Sequence, residues 1–84
     1  MVMTTKLPII KILKIEFLKI TWLSMKPVKA IVYVHDPQKG ILFTILPIPS
    51  DEDIFYLLTE DSNGNVNHEG KYSWFDVIEI IKEF

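Results

Sequence analysis

Apolar and polar positions alternate most regularly between Val28 and His35. Valine and alanine side chains fall on one side of this stretch, and Lys29, Ile31, Tyr33 and His35 fall on the other. A period of two is typical of a β-strand with one buried face. Residues 36–40 follow with turn chemistry, because Asp accepts backbone hydrogen bonds, Pro fixes φ and Gly takes positive φ. The pattern predicts a strand that enters a hairpin.

The next two apolar segments are hydrophobic on both sides. Ile41 to Leu46 is apolar except at Thr44, and Ile54 to Glu60 is apolar through Leu58. Strands with two apolar faces belong in the middle of a sheet whose two faces are both covered. Between them, residues 47–53 are predicted to form a loop.

A second hairpin is predicted around Asn63-Gly64, because both residues tolerate the positive φ of a type I′ turn. The strand that follows, Val66 to Tyr72, places Asn67, Glu69 and Lys71 on one face. Charged side chains on one face are typical of a sheet edge that resists aggregation.

The chain ends in an amphipathic helix. Ser73 is a predicted N-cap, with Asp76 three residues later. The apolar stripe consists of Trp74, Val77, Ile78, Ile81 and Phe84, whereas Asp76, Glu79, Lys82 and Glu83 face water. We expect this helix to pack on the sheet.

Residues 9–24 match neither template cleanly. Their many β-branched and aromatic residues favour a strand with a bulge near Phe17–Leu18, and a helix remains the alternative. The whole pattern predicts one α+β domain over residues 1–84: an antiparallel sheet of about five strands in meander order, with the C-terminal helix on one face. One helix leaves the other face uncovered, so we expect a homodimer, a bound partner or a sheet that curls into a partial barrel.

Composition narrows the chemistry. The 84 residues are 49% hydrophobic and 24% charged, which excludes wholesale disorder, and none is cysteine, which excludes disulfides and thiolate sites. Lysines and one glutamate interrupt the apolar N-terminal stretch, so we expect no signal peptide and no membrane span. The expected location is cytoplasmic.

Charge is divided between the two halves of the chain. Seven of the nine lysines lie in residues 1–40, and nine of the eleven acids lie in residues 41–84. A lysine-based nucleic-acid binder is therefore one alternative, although the chain has no arginine, the side chain best suited to grip phosphates and bases.

A small hydrolase that uses His35 and His68 is another alternative. Each histidine precedes a carboxylate, but neighbouring strand residues point to opposite faces, so neither carboxylate is set to orient its histidine. The loop from Asp61 lacks the sixth-position Gly and twelfth-position Glu of an EF-hand. We therefore expect no catalytic residue, no metal and no cofactor.

The favoured function is a small non-enzymatic binding or regulatory protein that acts through protein–protein contacts and forms a homodimer. Its predicted contact site is the acidic run Asp51, Glu52 and Asp53 with the neighbouring Phe55 or Tyr56, where charge and aromatic side chains coincide.

Overall fold

A computed structural model describes residues 8–16, 18 and 26–84. Its sheet contains β1 (Ile9–Ile12), β2 (Ile31–Asp36), β3 (Ile41–Ile48), β4 (Asp51–Asp61) and β5 (Val66–Ser73), and helix α1 (Trp74–Lys82) follows. The strands lie side by side in chain order. The predicted α+β fold with a C-terminal helix is confirmed.

The pairing of β1 differs from the rest of the sheet. β2, β3, β4 and β5 form antiparallel pairs as predicted, but β1 runs parallel to β2. A parallel pair requires the chain to cross back over one face of the sheet. Ile15 and Leu18 lie in that connection, have helical backbone and are buried.

The strand interpretation of residues 9–24 is therefore right for β1 and wrong for Ile15, Glu16 and Leu18. The physical reason is the crossover, since a helical turn brings the chain back over the sheet while it buries Ile15 and Leu18 against it. The proposed bulge is replaced at Leu18 by helical backbone, and Phe17 lies outside the described residues.

One face of the sheet forms the core. Its side chains pack beneath α1 and the β1–β2 connection. The buried core consists of Ile12, Ile15, Leu18, Val32, Val34, Phe43, Ile45, Phe55, Leu57, Trp74, Val77, Ile80 and Ile81. Aromatic pairs join the layers: the ring centroids of Phe55 and Trp74 are 5.1 Å apart, and those of Phe43 and Phe84 are 5.0 Å apart.

Helix α1 begins as predicted. The Ser73 hydroxyl accepts a hydrogen bond from the Asp76 backbone N–H at 3.2 Å. The buried stripe is rotated slightly from the predicted one, because Ile80 is buried and Ile78 lies at the margin, half-buried. At 3.6 residues per turn, Ile80 and Ile81 flank the side of the helix on which Val77 lies, and that side faces β4 and β5.

Two strand boundaries differ from the prediction. β2 begins at Ile31, because Val28 closes a turn through its N–H to the Lys26 carbonyl at 2.9 Å. The loop predicted at residues 47–53 is only two residues long in the structure, since Ile48 pairs with Asp51 across a bulge.

The predicted type I′ turn at Asn63-Gly64 is wrong. Gly64 has a φ of 81°, but Asn63 does not have positive φ. Instead the Asp61 carboxylate accepts the backbone N–H groups of Asn63 and Asn65, both at 2.9 Å, and organises the loop. This network holds the pKa of Asp61 below its ordinary value, chiefly through the Asn65 N–H.

Candidate functional site

The side of the sheet that points away from α1 is the open face. Alternation along each strand and the strand register define its members: Ile9, Lys11, Ile31, Tyr33, His35, Leu42, Thr44, Leu46, Tyr56, Leu58, Glu60, Glu69 and Lys71. Among the described residues, no helix or connecting segment packs over it. Most of its apolar side chains are half-buried, and Ile9 is 52% exposed.

The register arranges the open face in rows across the strands. One row crosses all five strands and reads Lys11, Tyr33, Thr44, Leu58, Glu69. The row beside it reads His35, Leu42, Glu60 across β2, β3 and β4. These two rows therefore run from a basic side chain on the β1–β2 side to a glutamate on the β4–β5 side, whereas a further row joins Leu46 to Tyr56 and ends in Lys71 on β5.

An apolar groove of about 660 Å³ lies on the β1 side of this face. Its lining includes Ile9, Leu13, Tyr33 and Leu42. Leu13 follows β1 and is 72% exposed. The sequence pattern did not identify Leu13 as a surface residue, because it predicted a strand that continues past Leu13.

A tyrosine–glutamate pair fixes one end of the long row. The Tyr56 hydroxyl donates a hydrogen bond to a Glu69 carboxylate oxygen at 2.9 Å. The bond and the neighbouring negative charge raise the pKa of Tyr56. The pair therefore holds the Glu69 carboxylate in place at the β5 edge of the open face.

The structure separates the two aromatic residues of the predicted contact site. Phe55 is fully buried against Trp74, so its predicted contact with a partner is wrong. Tyr56 points the other way and lies on the open face. The physical reason is alternation along β4, which sends neighbouring side chains to opposite faces.

The three acids of that site are exposed at the beginning of β4, and two of them make local contacts. The Asp51 carboxylate accepts the Asp53 backbone N–H at 3.0 Å. Asp53 in turn forms an ion pair with Lys26. The hydrogen bond from Lys26 to the Asp53 carboxylate is the main cause that raises the pKa of Lys26. The negative charges of Asp53, Glu52 and Asp51 raise it further. The acidic segment is thus partly neutralised by a lysine of the basic half.

The two histidines lie on opposite faces of the sheet. His35 is exposed on the open face, whereas His68 is half-buried on the covered face. The Thr59 hydroxyl lies 3.1 Å from Nδ1 of His68. A two-histidine hydrolase needs both rings in one cleft, and this fold does not bring them together. The described residues contain no cluster of three or more His, Cys, Asp or Glu side chains suited to a metal.

Several lysines of the basic half contact groups within the chain. Lys39 reaches Glu16 at 3.1 Å and the Phe84 carbonyl at 2.9 Å, and Lys26 reaches Asp53. Lys11 remains on the open face. Of the other N-terminal lysines of the sequence, Lys6 and Lys19 lie outside the described residues.

Within residues 8–16, 18 and 26–84, no helix has the length and apolar character needed to cross a membrane. Comparison with known proteins finds no match, because no family model, curated protein or solved structure is similar to the chain.

Proposed function

We propose that the chain is a small non-enzymatic binding protein whose contact surface is the open face. The observation that carries the proposal is the contrast between the two faces. One face is packed beneath α1 and the β1–β2 connection, and the other presents apolar side chains that no described residue covers. Monomeric soluble proteins rarely expose a large continuous apolar patch without a partner for it.

The layout of the open face matches the anatomy of a protein interface. Tyr33, Leu42 and Leu58 form an apolar centre, while Lys11 and Glu69 lie at its two edges. Interfaces have such an apolar core within a polar rim, and buried aromatic residues supply much of their affinity. Tyr33 and Tyr56 are the aromatic side chains of this face.

The acidic segment extends the same surface. Asp51, Glu52 and Asp53 precede Tyr56 and Leu58 on β4, so negative charge lies at one end of the apolar centre. Charges at the rim of an interface accelerate encounter and select partners more than they add affinity. We assign this segment a steering role, and the open face the binding role.

Photo-crosslinking in the native host cell tests the proposal. A benzophenone amino acid replaces Leu58 on the open face in one variant and Phe75 in the control variant. Phe75 is a suitable control because it is 69% exposed on α1. We expect discrete protein adducts from position 58 and none of the same adducts from position 75. The proposal is wrong if position 58 gives no adduct, or if both positions give the same adducts.

A further inference from the structure

We propose that the open face binds a second copy of the chain, in a face-to-face dimer whose two-fold axis runs along β3. This inference rests on the proposed function and names its partner. Two sheets that pack face to face keep their strand directions within about 30° of each other and lie about 10 Å apart. A two-fold axis along the central strand satisfies that geometry.

The symmetry determines which residues meet. Rotation about an axis along β3 places β1 of one copy over β5 of the other, and β2 over β4, while each row stays over the same row. In the long row, Lys11 then faces Glu69 of the second copy, and Tyr33 faces its Leu58. Every contact between two different residues occurs twice.

The neighbouring row gives the same complementarity. Its ends bring His35 over Glu60 of the second copy, with Leu42 over Leu42 at the axis. Imidazole in either protonation state can donate a hydrogen bond to a carboxylate.

The other face-to-face arrangement is unfavourable. A two-fold axis across the strands places β1 over β1 and β5 over β5. When this axis follows the long row, Lys11 lies opposite Lys11 of the second copy, and Glu69 lies opposite Glu69. Like charges placed opposite each other disfavour association. Charge therefore selects the axis along β3.

The size of the face predicts a weak dimer. Five strands about 4.8 Å apart, and roughly six residues of about 3.3 Å each, give a face of roughly 500 Å² per copy. Two such faces total about 1,000 Å², the lower limit for a specific interface. We therefore expect a dissociation constant in the micromolar range, where rim charges decide whether the dimer forms.

Charge reversal tests the arrangement by sedimentation equilibrium at low salt. Lys11→Glu and Glu69→Lys each replace two attractive contacts by two repulsive ones, so each variant alone should dimerise roughly tenfold or more weakly. A mixture of the two variants restores both attractive contacts. In the mixed dimer the two substituted side chains face each other with opposite charges, and so do the unchanged Lys11 and Glu69. We expect the mixture to regain an affinity near that of the wild type.

Matched controls separate this effect from net charge and from folding. Lys82→Glu and Glu79→Lys make the same charge changes on α1, where the two residues pair at 3.9 Å, and they should leave the dimer intact. Recovery in the mixture shows that both variants are folded.

Three results overturn the dimer: a wild type that stays monomeric at every concentration, single variants that associate like the wild type, or a mixture that fails to recover. Photo-crosslinking at position 58 tests the proposed function independently of the dimer. If position 58 crosslinks other proteins while the purified chain is monomeric, the function stands and the second copy is the wrong partner. If position 58 crosslinks nothing, the function itself is wrong.

Discussion

Leu57 and Leu58 are adjacent leucines of β4 on opposite faces of the sheet. Replacing each by alanine measures how much each face contributes to the stability of the monomer and of the dimer. Leu57 is fully buried in the core, whereas Leu58 is half-buried on the open face. The two substitutions remove the same atoms from the same strand. The difference between them therefore reports the environment of the face alone.

The expected costs differ severalfold. A leucine-to-alanine change in a packed core lowers the free energy of unfolding by about 2–5 kcal/mol, since it removes buried apolar surface and leaves a cavity. A half-buried leucine loses only part of its burial, which corresponds to about 1 kcal/mol. For a domain of this size, 1 kcal/mol shifts the melting temperature by roughly 4–8 °C. Leu57→Ala should thus melt far below Leu58→Ala.

The assay is urea denaturation followed by circular dichroism at a low and a high protein concentration. At low concentration the monomer is measured, and the difference between the faces should be largest. A dimer gains stability with concentration. We expect Leu57→Ala to retain that gain and Leu58→Ala to lose it. If Leu57→Ala is too unstable to fold, Leu57→Val and Leu58→Val provide a milder pair.

The reasoning fails if Leu58→Ala destabilises the dilute protein as much as Leu57→Ala does. That result would mean that the open face is covered within a single chain. It also fails if both variants gain stability with concentration in the same way.

Two further predictions concern the turns. Asp61→Asn should destabilise the protein most at neutral pH, and its difference in stability from the wild type should vanish as the pH falls through the lowered Asp61 pKa. The reason is that a carboxylate with a depressed pKa stabilises the fold only while it is ionised. Urea midpoints across that pH range measure the difference, and a difference that persists in acid would contradict the prediction. Gly40→Ala should lower the free energy of unfolding by about 1–2 kcal/mol for the left-handed backbone alone. Gly40 has a φ of 63°, and an added Cβ would meet Ser62 at 3.2 Å. Gly64→Ala, whose Cβ would meet nothing within 4 Å, is the control, and urea unfolding that shows Gly40→Ala no worse than Gly64→Ala would refute the role of the contact with Ser62.

The elements that follow from local rules were predictable from the sequence. The Ser73 cap and the Asp36 turn depend on side chains within a few residues of the groups they bind. The Asp36 carboxylate accepts the N–H groups of Gln38 and Lys39 at 3.1 and 3.2 Å, as its place in the predicted turn requires. Period-two alternation likewise located most of the strands.

What escaped prediction depends on contacts that are distant along the chain. The parallel direction of β1 is set by the crossover to β2, and an isolated apolar segment carries no mark of its direction. Alternation shows that Phe55 and Tyr56 point to opposite faces, but it does not show which face lies beneath α1. The placement of Phe55 in the core therefore required the packing of Trp74 against it.

The most direct test of the open face as the interface between two copies of the chain is a dilution series of amide NMR spectra of the purified protein. Dilution from the millimolar to the low micromolar range should shift the resonances of Tyr33, Leu42 and Leu58 as the dimer dissociates. The resonances of Glu79 and Lys82 on the outer side of α1 should stay constant. Spectra that do not change with concentration, or changes confined to α1, would contradict the open face as the interface of the dimer.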